Sequence, residues 1–511
     1  MIITKKRIRL LLTFFLLSVI YCSLDAKSIK SVKYLYKKNN HVEVTRIDYL
    51  QNATVLHFVT EKNVGPTFRI GHGIYIVGDD GTRHHAIGTT AIKLDSLYVL
   101  CKGQRMKFSI SFEPVGESNL ALDITEPESF AIYGLHDGKE GLSVPVVKGE
   151  YDKSEENNMF FQSLDIEIDG ILHDEDNTLG KVIYANYLSN LRKSKDMYAD
   201  QYAKADADGR FTMRFTMQHP RQFSFIMPNV GGSIIAHPGD KLSVEMYGNS
   251  EGKELVYRSL TGRKTFNKLA NAPGRFYDDS KYIRNITSDF ANFGYIEHYA
   301  GLMERYDFEL EYANYICWHY KLSPHETQLY LANVNGYYVY MLLETDCRIQ
   351  TRYYESISEE NKKINGKTFY AGAILPDEEK DRYKDYVRHM DFSYLNRIDP
   401  NNYFYMINGW YQWVYEMISN IHSVKQCINT VLTKDSFPWK EIIEKQKKEV
   451  NRIIGCEGMT TCLEYIIAYS APSVWRRYPC TDEQYQQIRQ IMSHPCTSKL
   501  LDYNYNIHIK G

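Results

Sequence analysis

The chain has 511 residues, of which 43% are hydrophobic and 24% are charged, and its formal net charge is −2. This balance is typical of globular proteins, and the length exceeds that of one ordinary domain, so about two to four domains are expected. The charge shows no basic surplus, which argues against nucleic acid or anionic lipid as a partner.

The N-terminus has the pattern of a cleaved secretory signal peptide at residues 1–26. A basic segment precedes an apolar run from Leu10 to Tyr21, and a small residue, Ala26, follows that run. The run is short for a bilayer span, which needs about 20 apolar residues. We therefore expect an exported protein of the periplasm or cell surface. It should begin near Lys27 and meet the membrane only through the signal peptide before cleavage.

Two alternatives stay open at this end of the chain. The apolar run could remain uncleaved as an anchor, or Cys22, which follows it, could be lipidated. Tyr21 argues against lipidation, because the residue before a lipidated cysteine is normally small.

Residues 30–135 predict a first β module. Residues 53–59 are rich in strand-forming side chains. Residues 79–81, Asp-Asp-Gly, follow an apolar segment and indicate a tight hairpin, because glycine tolerates a positive φ. A later segment alternates apolar and polar residues, as a strand with one buried face requires. Its apolar positions are Met106, Phe108, Ile110 and Phe112.

A second β module is predicted at residues 160–262, after a polar, glycine-containing segment at 136–160 that we interpret as a linker between domains. A proline and a glycine at 238–239 predict a turn, since proline pre-sets its first dihedral angle and glycine completes it. One strand of this module again alternates apolar and polar residues, with Phe211, Met213, Phe215 and Met217 on the apolar face.

The pattern becomes helical after about residue 265, and residues 265–511 predict an α-helical domain. Ser323 can cap free amides, Pro324 suits the first helical position and Glu326 completes a capping box, so a helix should run from there to about Glu344. Further helix starts are predicted at Pro376, Pro438 and Thr481. The fold class is therefore multidomain β plus α: two N-terminal β-sandwich-like modules followed by an α-helical domain.

No complete motif for catalysis, phosphate binding or metal binding is found in the sequence. His325 and Glu326 would begin a zinc-protease motif, but Leu329 stands where its second histidine is required. His84 and His85 are adjacent, and neighbouring strand residues point to opposite faces, which disfavours a shared metal. There is also no phosphate loop and no Gly-x-Ser-x-Gly elbow. We therefore predict a protein that is not an enzyme and that has no cofactor.

Tyrosine is abundant, and the densest aromatic cluster falls in the helical region. Such a cluster could stack on sugars or bind a partner, but core packing of the helices is the interpretation that we favour. Its members are Tyr403, Tyr405, Trp410, Tyr411 and Trp413.

None of the nine cysteines forms Cys-x-x-Cys, which excludes the usual zinc-ribbon and thioredoxin spacings. Two pairs lie close in sequence and are candidate structural disulfides in an oxidising compartment. These pairs are Cys456 with Cys462 and Cys480 with Cys496.

Several segments resemble the non-catalytic part of a Bacteroidetes family, the exported thioredoxin-like disulfide reductases of the TlpA type. In the first module the resemblance is carried by DYLQNATVLHF, IYIVGDDGTRHHAI, IKLDSLYVL and MKFSISFEPV. In the second it is carried by DGRFTMRFTM and PGDKLSVEM, and in the helical part by LSPHETQLYLANVNGYYVYMLLE and FSYLNRIDPNNYFYMINGW.

The resemblance implies a related architecture without the family's chemistry. Family members continue into a thioredoxin domain with a Trp-Cys-x-x-Cys active site, whereas this sequence ends at Gly511 without one, so no catalytic residue carries over.

Three functions are consistent with this pattern. We favour an interaction or structural role in the cell envelope, with another envelope protein as the partner. The alternatives are one subunit of a truncated or split thiol-disulfide oxidoreductase and, more weakly supported, a carbohydrate-binding protein. The oligomeric state stays open.

Overall fold

A computed structural model describes residues 27–356 and 460–506 with gaps, together with positions 385, 389, 431–433 and 509. The gaps are 39–41, 61–66, 100–103, 127–129, 151–163, 174–180, 187–201, 218–220, 228–229, 250–251, 264, 277–294 and 493–494. The signal peptide, the helix starts at 376 and 438, and the aromatic cluster at 403–413 lie outside the described residues.

The N-terminal part of the structure is a β module whose main sheet has ten strands, in the order β1-β4-β5-β10-β8-β7-β11-β12-β2, with β3 also paired to β12. All pairings are antiparallel, and β6 and β9 form a separate small ribbon. The strands are β1 (Lys27–Ile29), β2 (Val32–Lys33), β3 (Tyr36–Lys38), β4 (Val42–Leu50), β5 (Ala53–Thr60), β6 (Thr67–Phe68), β7 (Tyr75–Val77), β8 (Arg83–Thr90), β9 (Tyr98–Val99), β10 (Lys107–Phe112), β11 (Leu122–Glu126) and β12 (Phe130–Asp137).

Alternation of apolar residues places one face of this sheet in a common core. In β10, Phe108, Ile110 and Phe112 are buried as the sequence predicts, and they pack with side chains such as Ile47 of β4 and Ile124 of β11. Since strands distant in the sheet order share this core, the sheet folds over on itself and the module is sandwich-like.

The second β module is a sandwich of two four-stranded sheets, ordered β16-β13-β19-β20 and β15-β14-β17-β18. The pair β13 and β19 is parallel and the other pairs are antiparallel. The predicted alternation at 211–217 is confirmed, because all four apolar residues are buried between the sheets. The strands are β13 (Leu164–His173), β14 (Val182–Asn186), β15 (Tyr202–Lys204), β16 (Arg210–Met217), β17 (Arg221–Met227), β18 (Val230–Ala236), β19 (Lys241–Asn249) and β20 (Gly252–Ser259).

The described part of the C-terminal region is helical, which confirms the predicted β plus α fold class. Its two longest helices are joined by residues 320–323 and pack against each other as a helical hairpin. No described helix has an apolar stretch long enough to cross a membrane. The helices are α1 (Asn267–Asn271), α2 (Tyr295–His319), α3 (Pro324–Ser356), α4 (Thr460–Trp475), α5 (Asp482–Ile491) and α6 (Pro495–Tyr505).

Both helix starts that can be checked are confirmed by their capping boxes. The Glu326 amide donates to Ser323 Oγ at 3.3 Å, and Glu326 Oε2 accepts from the Ser323 amide at 2.9 Å. Thr481 and Gln484 make the same reciprocal pair at the start of α5. The end predicted for α3 at Glu344 was wrong, since the helix continues to Ser356. No glycine or proline stands between these two positions to stop it.

The segment predicted as a linker is instead packed onto the helices where it is described. Residues 139–150 form no helix or strand, but Leu142, Val144 and Val147 pack against the helical core. The Val147 amide donates to Asn314 Oδ1 of α2 at 2.9 Å, and Asn314 Nδ2 donates to the Pro145 carbonyl at 3.1 Å. This segment, which continues from the last strand of the first β module, therefore links that module to α2 by packing and hydrogen bonds.

Candidate functional site

The turn between β7 and β8 meets the C-terminal end of α2. Residues 79–81 form the predicted hairpin turn, in which Val77 pairs with Arg83 and Gly81 has φ +76°. A Cβ on Gly81 would lie 3.2 Å from the Tyr320 carbonyl oxygen, so glycine permits both the turn and the close approach of α2. The turn thereby brings Asp79 next to His319, the last residue of α2.

His319 is completely buried between two carboxylates of the first β module. Its Nδ1 lies 3.5 Å from Asp79 Oδ1, and its Nε2 lies 3.7 Å from Asp123 Oδ2 of β11. Nε2 is also 3.3 Å from the Val77 carbonyl oxygen. These contacts form a buried Asp79–His319–Asp123 network across the boundary between β module and helices.

Neighbouring groups hold Asp123 and the His319 ring in place. The Tyr315 hydroxyl and the Gly134 amide both donate to Asp123 Oδ1, the amide at 2.9 Å. The Tyr315 ring stacks on the imidazole, with ring centres 5.3 Å apart and planes 14° apart. Tyr315 and His319 are one helical turn apart on α2, so a single helix supplies both contacts.

Burial and charge shift the pKa values of this network in definite directions. Burial opposes the charged form of His319, but the carboxylates of Asp123 and Asp79 outweigh it and raise the pKa of His319 above 6.5. Burial raises the pKa of Asp123 despite the nearby imidazole. Burial also acts on Asp79, but the neighbouring His319 imidazole and the hydrogen bonds from the Leu120 and Ala121 amides prevail and lower its pKa.

An open cleft of about 490 Å³ lies on the solvent side of Asp79. Asp80, His84 and Lys321 supply charged or titratable groups to its walls, and Ser118 and Asn119 supply a hydroxyl and an amide. The Asn119 side chain is held by the Asp79 amide, which donates to Asn119 Oδ1 at 2.6 Å. Asp79 therefore belongs both to the cleft and to the buried network beneath it.

The cleft can bind a polar ligand, but the buried groups of the network cannot contact that ligand. His319 and Asp123 have no exposed side-chain surface, so they cannot exchange protons with a molecule in the cleft by direct contact. Their role is to hold Asp79 and the turn in position. The carboxylate, imidazole, hydroxyl, amide and ammonium groups of the walls are the groups available for recognition.

A second polar constellation lies on the solvent-facing side of the main sheet, across β4, β5 and β10. Ser109 Oγ is 2.8 Å from His57 Nδ1, and His57 Nε2 is 2.8 Å from Asp48 Oδ2. Arg46 forms an ion pair with Asp48 at 2.7 Å, and the Ser28 hydroxyl donates to the other carboxylate oxygen. We call Asp48, His57 and Ser109 the sheet triad.

A smaller cavity of about 250 Å³ lies between the two β modules. Arg83 and Tyr75 form part of its wall, with the guanidinium carbon 4.7 Å from the centre of the tyrosine ring. Arg83 also donates to the Asn271 carbonyl at 3.5 Å, so the arginine connects β8 to the segment around α1.

The residues singled out from sequence are not brought together into a site in the described part of the chain. Cys480 is a free, buried thiol, so its predicted bridge to Cys496 is not formed in this structure. Burial raises the pKa of Cys480 to about 12, which fits an inert thiol. Cys456 lies outside the described residues, and the pairing of Cys462 stays a prediction.

His84 and His85 follow the predicted separation, because His84 lines the cleft while the His85 ring contacts Tyr75. No group of three or more metal-ligating side chains is found among the described residues. Sequence reasoning missed both the buried network and the sheet triad. The only signal for either was the Asp-Asp-Gly hairpin, which placed Asp79 at a turn.

Comparison with known proteins adds little to this geometry. No family model and no curated protein matches the chain, so the resemblance to TlpA-type reductases stays a prediction. One solved structure, described as a "putative cell adhesion protein" from Bacteroides uniformis, is similar at 10% identity over 38% of this chain and 93% of that one. Its TM-score is 0.11.

Two further structures are similar at 8% identity. The match to one of them, described as the sugar-binding protein pneumolysin, covers 43% of this chain and 50% of that chain, with a TM-score of 0.09. The match to the other, described as a trapped toxin, covers 42% of this chain and 48% of that chain, with a TM-score of 0.10. This chain thus spans about half the length of both proteins, and TM-scores this low carry no argument about function.

Proposed function

We propose that this protein is an exported cell-envelope protein with a non-catalytic interaction role, and that the cleft above Asp79 is its recognition site. The observation that carries the proposal is that the buried titratable groups of this site are separate from the polar groups that a ligand can reach. The most deeply buried titratable groups, His319 and Asp123, lie beneath the cleft, while the polar groups of its wall lie on the β7–β8 turn, on β8, at residues 118–119 and just after α2. Such an arrangement suits binding better than proton transfer to a substrate.

The chemistry of the wall favours carbohydrate as a second candidate, now at the cleft and not at the aromatic cluster. Sugar hydroxyls both donate and accept hydrogen bonds. Asp80 offers acceptors, Lys321 offers donors, and Ser118 and Asn119 offer both. A polyhydroxylated ligand matches this mixture better than a ligand of one charge sign.

Site-specific photo-crosslinking in intact cells tests the interaction role. A photoreactive residue replacing His84 should give a discrete crosslinked product in the envelope fraction. The same residue replacing Lys241, which is 63% exposed on the second module, should not. Equal crosslinking from both positions, or none from position 84, would contradict recognition at the cleft.

A glycan array tests the carbohydrate candidate with purified protein. We expect binding to a defined set of envelope glycans, weakened at least tenfold by His84→Ala combined with Lys321→Gln. The Lys241→Gln variant should bind as the unmodified protein does. If the unmodified protein binds no glycan above background, this candidate is wrong and the protein-partner role is retained on the crosslinking result.

Insulin reduction by a dithiol tests the remaining alternative, a thiol-disulfide oxidoreductase subunit. We expect no acceleration, because such catalysis needs an exposed thiolate and a nearby resolving thiol. Both cysteine thiols whose environment the structure describes, Cys317 and Cys480, are buried, with pKa values raised to about 12. Turnover that Cys456→Ser abolishes would establish the alternative.

A further inference from the structure

The strand β8 contributes to two different pockets. His84 lines the cleft above Asp79, whereas Arg83 lines the smaller cavity of about 250 Å³ between the β modules. Neighbouring strand residues point to opposite faces, so β8 presents one face to each pocket. We call the second pocket the Arg83 cavity. Its wall is formed by Tyr75, Arg83, Thr125, Tyr133, Leu255 and residues 270–274.

Arg83 supplies the only charge among the described residues of this wall. Its guanidinium carbon lies 4.7 Å from the centre of the Tyr75 ring, and one of its nitrogens donates to the Asn271 carbonyl oxygen at 3.5 Å. These two contacts hold the guanidinium at the wall. A guanidinium presents its N–H groups in a planar fork that matches the oxygens of a carboxylate.

The wall opposite the first β module is apolar and fixed in position. Leu255 of β20 is buried, and Ala270, Ala272 and Pro273 add aliphatic surface beside it. Asn271 connects these residues through its side chain, because its Oδ1 accepts from the Leu255 amide at 3.1 Å and its Nδ2 donates to the Leu255 carbonyl at 2.8 Å. The amide of Asn271 is thus used to hold α1 against β20.

The floor of the cavity comes from the first β module and is uncharged. Tyr75 and Thr125 pair in register on β7 and β11, so their side chains share one face of the sheet. Tyr133 of β12 is buried at the same place. Burial raises the pKa of Tyr133 well above its ordinary value, so its hydroxyl keeps its proton. A bound anion therefore meets one positive charge and no negative charge in the described wall.

We propose that the Arg83 cavity binds a small monocarboxylic acid with an apolar body. The carboxylate lies on the Arg83 guanidinium, and the body packs against Leu255 and residues 270–274. One cation matches one negative charge, whereas a phosphate dianion would leave a charge uncompensated in a partly buried site. An apolar cavity of about 150 Å³ already holds benzene, so the larger volume here accommodates a ring together with its carboxylate.

Such a ligand would contact both β modules at once. Tyr75 and Arg83 belong to the first module and Leu255 to the second, and pockets at domain boundaries are common binding sites for small molecules. The acid should therefore stabilise the arrangement of the two modules, because it binds only when both sides of the cavity are in place. This inference concerns a different pocket from the cleft and does not depend on the recognition role proposed there.

Isothermal titration calorimetry on the full mature chain tests the ligand class without any substitution. The probes are phenylacetate, its neutral isostere phenylacetamide, and inorganic phosphate. We expect saturable binding of phenylacetate at one site, and binding at least about tenfold weaker for each of the other two, because only the acid combines one charge with an apolar body. Equal affinity for the acid and the amide, equal affinity for phosphate, or no saturable binding of the acid up to about 10 mM would overturn the inference.

Substitution of Arg83 tests the location of the site. Arg83→Gln should weaken phenylacetate binding at least about tenfold, and Arg83→Lys should retain part of the affinity, since lysine keeps the charge but not the planar fork. Arg69→Gln is the matched control, because that arginine is 53% exposed and pairs with Asp95 away from the cavity. Melting curves without ligand establish that each variant is folded. Unchanged binding in Arg83→Gln would place the acid elsewhere and overturn the inference, and the comparison of acid with amide decides the ligand class even if this variant does not fold.

Discussion

At the scale of single residues, His319 shows how burial gives a titratable group a structural role. The ring lies between Asp79 and Asp123 with no exposed surface, so removing its charge leaves the buried Asp123 and the partly exposed Asp79 without their common partner. Removing one member of such a buried ion pair is strongly destabilising, typically by about 3–5 kcal/mol. The network therefore ties the first β module to α2.

The pH dependence of stability should carry the signature of His319. Its pKa is raised in the folded state, so the stabilisation from its charge is fully present below pH 6.5 and is lost as the pH rises through the raised value. The contribution of Asp79 depends on pH in the opposite direction. Its pKa is lowered in the folded state, so its stabilisation is lost as the pH falls below the ordinary value of 3.8 and through the lower folded-state pKa. Stability should thus decline on both sides of a mildly acidic to neutral range.

We predict that His319→Gln lowers the free energy of unfolding by about 3–5 kcal/mol at pH 6 and flattens its decline above pH 6.5. Denaturant titrations at several pH values measure both effects. His173→Gln is the control, because that side chain is 42% exposed and should change neither. An unchanged pH profile in His319→Gln would mean that the imidazole is not charged in the fold.

At the scale of elements, α3 begins where local sequence signals agree. Ser323 and Glu326 form the reciprocal capping box, and Pro324 occupies the first helical position, where its missing amide proton costs nothing. The start of α5 at Thr481 was also predicted, and in the structure Thr481 and Gln484 form the same reciprocal capping box. The end of α3 had no local signal, because no glycine or proline stands between Glu344 and Ser356.

Ser323→Ala should lower the free energy of unfolding by about 1 kcal/mol, the usual scale for losing an N-cap oxygen. Ser323→Asn should restore most of that loss, since asparagine caps about as well as serine. Chemical denaturation of the three proteins gives the comparison. Equal stability of the alanine and asparagine variants would show that the cap is not what the serine contributes.

At the scale of the whole molecule, α3 contributes to two cores. Leu329 and Ala332, near its start, belong to the core of the second β module, whereas Val334, Tyr338 and later residues belong to the core of the helices. Residues of the first module, including Val77 and Tyr133, join that same helical core. The described parts of the chain should therefore unfold in a coupled manner and not as independent modules.

Leu329→Ala tests this coupling. The side chain is 5% exposed, so we expect a loss of about 2–5 kcal/mol, with faster hydrogen exchange both in the strands of the second module and in α3. Leu97→Ala, at a position that is 65% exposed, should leave stability nearly unchanged. Faster exchange confined to α3 would contradict a shared core.

Much of the architecture could be predicted from the sequence, because the patterns that specify strands, turns and helix caps are local. The alternation at 211–217, the turn glycine at 81 and the caps at 323 and 481 each depend on a few neighbouring residues, and each is confirmed. Strand period, glycine φ and cap hydrogen bonds act within one element, so no knowledge of the partners of that element is needed.

The candidate sites were decided only by the tertiary structure. The sheet triad combines Asp48, His57 and Ser109 from three strands, and its contacts exist only in one register, because a shift of a single residue would turn each side chain to the other face. His319 lies far along the chain from Asp79 and Asp123, and it acquires its charge environment only when α2 docks on the β module. Sequence spacing cannot encode such distances, because they depend on how paired strands and packed helices bring remote residues together.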